Sequence, residues 1–144
     1  MENKELDDCI SRRKIIKMEQ IKILAPKELE LASEDLKVAG ESLAKDNYKW
    51  ATIQSYYSMF HAARSLLYRK GYREKSHYCL IEAIRIFYVS EGLLSFKFTE
   101  ALQLAKSLRE NADYYGDFNK ENTERLIAIS KDFLKESRVI LEND

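Results

Sequence analysis

One proline, Pro26, and four glycines are all that 144 residues provide for sharp turns. All-β and doubly wound α/β folds need more of both, because tight turns call for a left-handed or a fixed φ. The scarcity points to long helices joined by short connections. At this length the chain can bury a full core, and the expected unit is one domain over residues 1–144. Charged residues make up 33% and hydrophobic ones 45%, which is the balance of a folded chain and not of a disordered one.

The apolar spacing agrees. Leu29, Ala32, Leu36, Ala39 and Leu43 step by three and four and define a helix over about 26–45, with Pro26 in its first turn. A less regular pattern (Leu6, Ile10, Ile15, Ile16, Ile21) predicts an earlier helix over about 6–23, in an N-terminal extension spanning 1–24. Asp46-Asn47 reads as a polar turn. The segment KWATIQSYYSMFHAARSLLYR, about 49–69, has two neighbouring stripes: Trp50, Ile53, Tyr57, Phe60, Leu67 and Tyr56, Met59, Ala63, Leu66. Apolar surface then covers more than half the cylinder, so this helix is central in a bundle or packed on another subunit. Its small residues, Ser55, Ser58, Ala62 and Ala63, allow close approach of a neighbour, and homodimerisation is expected on that ground.

Gly71 suits a left-handed helix end. A basic loop follows with Arg69, Lys70, Arg73 and Lys75, and Ser76 is placed to cap the next helix, about 77–91, which Gly92 ends. Further helices are expected over about 95–115 and 121–141, the last opened by Asn119 or Asn122. The fold class is therefore all-α, an antiparallel up-and-down bundle of five to six helices with its core in 26–141.

Composition also restricts chemistry. The net charge is zero, so a phosphate-binding patch must be local. No apolar run is long enough for an export signal or a bilayer span, and a cytoplasmic location with no membrane partner is expected. Cys9 and Cys79 are then expected as free thiols. Two histidines, His61 and His77, with no CxxC pair supply no structural zinc set, and no glycine-rich phosphate loop is present, so neither metal nor cofactor is expected.

Three segments carry a resemblance: SYYSMFHAAR (55–64), GYREKSH (71–77) and the R-x-x-A-D-Y of LRENADYYGDF. Together they resemble the HEPN domain family, in its small stand-alone archaeal and bacterial branch. The resemblance implies a helical bundle, commonly dimeric, often toxin-like and paired with a minimal nucleotidyltransferase. Active members resemble metal-independent ribonucleases with an Arg-x(4–6)-His motif, where arginine holds phosphate and histidine moves a proton. Arg109 matches that arginine. The histidine positions hold Tyr114, Tyr115 and Gly116 instead. Tyrosine, with a reference pKa near 10, is a poor general base at neutral pH.

The resemblance thus implies an RNA- or nucleotide-binding module, weak in catalysis. Its expected ligand contacts are Arg109, Asp113, Tyr114, Tyr115, Arg73 and Lys75. Two alternatives stand beside it. One is an active ribonuclease toxin, with His77 or His61 replacing the missing base beside Arg109. The other is a purely structural dimeric module. By the same resemblance, Tyr114 or Tyr115 is where a partner transferase would add AMP.

Overall fold

The computed structural model describes residues 4–115 and 118–143, except for the side chains of 111–115. Its helices are α1 (Lys4–Ser11), α2 (Ala25–Ala44), α3 (Tyr48–Arg69), α4 (His77–Ile84), α5 (Phe96–Tyr115) and α6 (Lys120–Glu142). Two three-residue strands, β1 (Ile15–Lys17) and β2 (Tyr72–Glu74), add a small antiparallel ladder. A 3₁₀ turn, Glu19–Leu24, leads into α2, and a wide π turn, Arg85–Val89, extends α4.

α3 is the centre of the bundle, in contact with α2, α5 and α6. Its small residues make those contacts close. Ser58 Oγ donates to the Ala32 carbonyl of α2 at 2.8 Å. Thr52 and Thr123 of α6 share a hydroxyl bond of 3.2 Å. A hydroxyl that reaches a neighbouring helix brings the backbones together and satisfies a polar group that burial would otherwise penalise. Ser58, one of the small residues noted in this helix, thus serves packing within the chain. Around this axis Met59, Leu66, Leu80, Ile84, Tyr88, Leu102 and Phe133 are fully enclosed. Phe98 of α5 stacks on Phe133 of α6 with centroids 5.1 Å apart.

The predicted ends hold where local chemistry sets them. Ser76 caps α4 by accepting from the Cys79 N–H at 3.1 Å, and Asn119 caps α6 by accepting from Asn122 N–H at 2.8 Å. Gly71 follows α3 with φ +82°, a left-handed conformation that favours glycine and strains any residue with a Cβ. Trp50 is a departure: it sits on the first turn of α3 and is about half exposed, outside the stripe assigned to it.

Two expectations fail in the N-terminal extension. The helix over 6–23 is broken after Ser11, Arg13 takes φ +57°, and the chain then extends. Ile15 and Ile16, both β-branched, pair with Glu74 and Arg73. Their partner lies far along the chain, so periodicity within the segment could not reveal the strand. Nor are the cysteines free. Cys9 of α1 and Cys79 of α4 form a disulfide with Cα atoms 5.8 Å apart. The free-thiol expectation followed from compartment alone and had no means of seeing that the fold brings the two sulfurs together. Among the described residues, no helix is long and apolar enough to cross a membrane.

Candidate functional site

α3 and α5 bring Tyr56, Tyr57 and Arg109 together. The Arg109 guanidinium lies 5.7 Å from the Tyr56 ring centroid and 5.4 Å from that of Tyr57. Two consecutive helical residues rarely share a target, but these rings sit edge to face at 5.0 Å and flank the same cation. A guanidinium held by ring faces keeps its N–H edge for an acceptor such as phosphate.

The first residue of α4 completes the cluster. His77 Nδ1 and the Tyr56 hydroxyl are hydrogen-bonded at 3.1 Å, and the imidazole stacks on Tyr56 at 5.7 Å and on Phe60 at 6.3 Å. Its other nitrogen, Nε2, is shielded from solvent and has no hydrogen-bond partner among the described residues. Burial, reinforced by the Lys106 cation, pushes the imidazole down to about 4, with Glu110 opposing. The same burial drives the Tyr56 phenol up to about 12, although Arg109 pulls the other way. At neutral pH both groups are uncharged.

Metal-independent RNA cleavage needs a base for the 2′-hydroxyl and an acid for the leaving oxygen, both with pKa near working pH. His77 is a very weak base with its free nitrogen enclosed, and Tyr56 is a very weak acid. The cluster presents one cation and the partly exposed Tyr57 ring, while the Phe60 ring is already engaged by Tyr56, His77 and Arg64.

His61 lies one step along α3 and faces another way. Its Nδ1 meets Glu28 Oε1 at 2.9 Å and its Nε2 meets Asp35 Oδ2 at 3.6 Å. Two carboxylates thus face the ring, and no hydrogen bond, ion pair or ring contact among the described residues joins His61 to Arg109. His61 belongs to a network with Arg64, which pairs with Glu74 at 3.1 Å, and this network ties α2, α3 and β2 together.

Of the residues expected from the sequence, His77 and Arg109 therefore converge through Tyr56. Arg73 and Lys75 are exposed at β2, and no hydrogen bond, ion pair or ring contact among the described residues joins them to that cluster. The side chains of Asp113, Tyr114 and Tyr115 lie outside the described residues. Tyr56, Tyr57, Phe60 and Lys106 were not expected at the site. The two tyrosines sit inside SYYSMFHAAR and read as core, because apolar periodicity cannot separate a buried ring from one that borders a cleft. Lys106 lies one turn before Arg109, a spacing that could have flagged it.

The sequence profile of the HEPN domain matches residues 26–140. A protein of Methanocaldococcus jannaschii named "Putative toxin MJ0605" is 29% identical over 107 residues, covering 74% of this chain and 80% of the relative. A second from the same organism, "Putative toxin MJ0142", is 26% identical over 115 residues, 78% of each chain.

Proposed function

The chain belongs to the HEPN domain family, and we propose that it is a toxin-like member that binds RNA or a nucleotide without cutting it. The observation that carries this is the Arg109 guanidinium held between two tyrosine rings beside a neutral, enclosed His77. Phosphate would meet the guanidinium edge, and a base would lie on Tyr57. The shared chemistry is the nucleotidyl group, so a strand of RNA and a free nucleotide are two sources of one ligand. The similarity to proteins named as toxins supports the toxin-like part. A minimal nucleotidyltransferase is the partner class that goes with this reading.

The test has two arms. Fluorescence anisotropy of a labelled single-stranded RNA reads one, and its competition by ATP reads the other. Arg109→Ala should weaken whichever ligand binds by roughly tenfold or more, the scale of removing one charge-assisted hydrogen bond to phosphate. Arg109→Lys should recover part of that affinity, since charge returns without the planar fork. Binding unchanged in Arg109→Ala would remove the site from this function. Competition by ATP at low concentration would mark a free nucleotide as the ligand, and its failure would mark the strand.

A further inference from the structure

The segment before the family-matched region is tied to the residues on either side of His77. α1 has eight residues, too few to hold a helix in water by themselves, and it buries only Leu6 and Cys9. Its anchorage lies elsewhere. Cys9 is joined to Cys79, two residues beyond His77. The Lys14 N–H donates to the Cys9 carbonyl at 2.8 Å, and the Lys75 N–H donates to the Lys14 carbonyl at 2.8 Å. β1 then pairs with β2, setting Ile15 against Glu74. The disulfide, the ladder and the Lys75 bond all land on residues 72–79. In the middle of that stretch, Ser76 accepts from the Cys79 N–H and so sets the first turn of α4, whose first residue is His77. His77 in turn holds the Tyr56 hydroxyl, and the Tyr56 ring faces Arg109.

We propose that the Cys9–Cys79 disulfide is a redox-sensitive strap that fixes the His77 turn, so that its reduction weakens ligand binding at the Arg109–Tyr56–His77 site. The binding effect rests on the function proposed above; the strap itself does not. Reduction by a dithiol balances simply. A thiolate of the reductant attacks one sulfur and expels the other as a thiolate, which takes up a proton. The second thiol of the reductant then closes on the mixed disulfide and releases the other cysteine. Two electrons and two protons pass to the protein, and the reductant leaves as a cyclic disulfide. Both cysteines are buried, Cys9 at 1% and Cys79 at 5% exposure, so attack follows local opening of α1. Once reduced, α1 keeps Leu6, the packed thiol, the Lys14 and Lys75 backbone bonds and the short ladder, but no covalent tie. The 72–79 turn then loses its covalent fixing next to His77.

The experiment compares oxidised protein, the same protein in dithiothreitol, and Cys9→Ser. Intact mass establishes the redox state, and circular dichroism confirms the retained helix. Hydrogen exchange across 75–79 and anisotropy of the labelled RNA are the readouts. The account expects exchange in 75–79 to rise by roughly tenfold or more and RNA affinity to fall several-fold, with helical content nearly kept. Dithiothreitol alone supplies the test if Cys9→Ser fails to fold. Unchanged exchange and affinity on reduction would overturn the strap while leaving the binding site intact. Faster exchange with no RNA or ATP bound in either redox state would support the strap and overturn the proposed function. Faster exchange with equal affinity in both states would overturn the link to binding. Two titratable thiols after treatment with oxidised glutathione would overturn the disulfide as a device altogether.

Discussion

At the scale of the residue, Tyr56 matters most, because it touches both ends of the site. Its ring carries Arg109 and its hydroxyl carries His77. The neutral state of His77 follows from burial and the Lys106 charge, and it has a consequence for stability. The folded imidazole titrates at about 4 and the unfolded one near 6.5, so the unfolded chain binds more protons between those values. The contribution of His77 is therefore complete above about pH 6.5 and is lost as pH falls towards 4. After discounting for partial exposure of the ring, the loss is about 1–2 kcal/mol. Ring-proton NMR should find one histidine still neutral at pH 5.5, and that signal should be absent in His77→Gln. A His77 signal titrating near its ordinary value would contradict the enclosed, neutral imidazole.

At the scale of the element, what is legible in the sequence depends on how local its cause is. Gly71, Ser76 and Asn119 end or begin helices through contacts with their own neighbours, and all three stand at the predicted ends. β1 and the disulfide depend on residues far along the chain, so the 6–23 stretch reads as one helix and the cysteines read as free. The same long-range logic governs β2. Glu74 is 7% exposed and holds Arg64 through both carboxylate oxygens, at 3.1 and 3.2 Å. Glu74→Gln keeps the shape but leaves the guanidinium with Glu28 as its carboxylate partner among the described residues. We expect it to cost about 2–3 kcal/mol, below the full penalty of a broken buried pair because Arg64 is partly exposed. Urea denaturation checks this, and a midpoint unchanged from wild type would show that the pair holds nothing.

At the scale of the whole molecule, the helical class is readable from scarce glycine and proline, and the family from three short motifs. The site is only half readable. Arg109 and His77 stand out in the sequence, but their meeting point is hidden in a helix whose rings read as core. Of the small residues of α3, Ser58 is spent on α2. Binding without cleavage is the central claim for the molecule, and one incubation tests it most directly. Labelled single-stranded RNA is mixed with protein in EDTA at neutral pH, read first by anisotropy and then on a denaturing gel. The account predicts raised anisotropy with RNA of full length, and loss of the anisotropy in Arg109→Ala. Rapid cleavage in EDTA, abolished by Arg109→Ala and by His77→Ala, would contradict it and make His77 a working base.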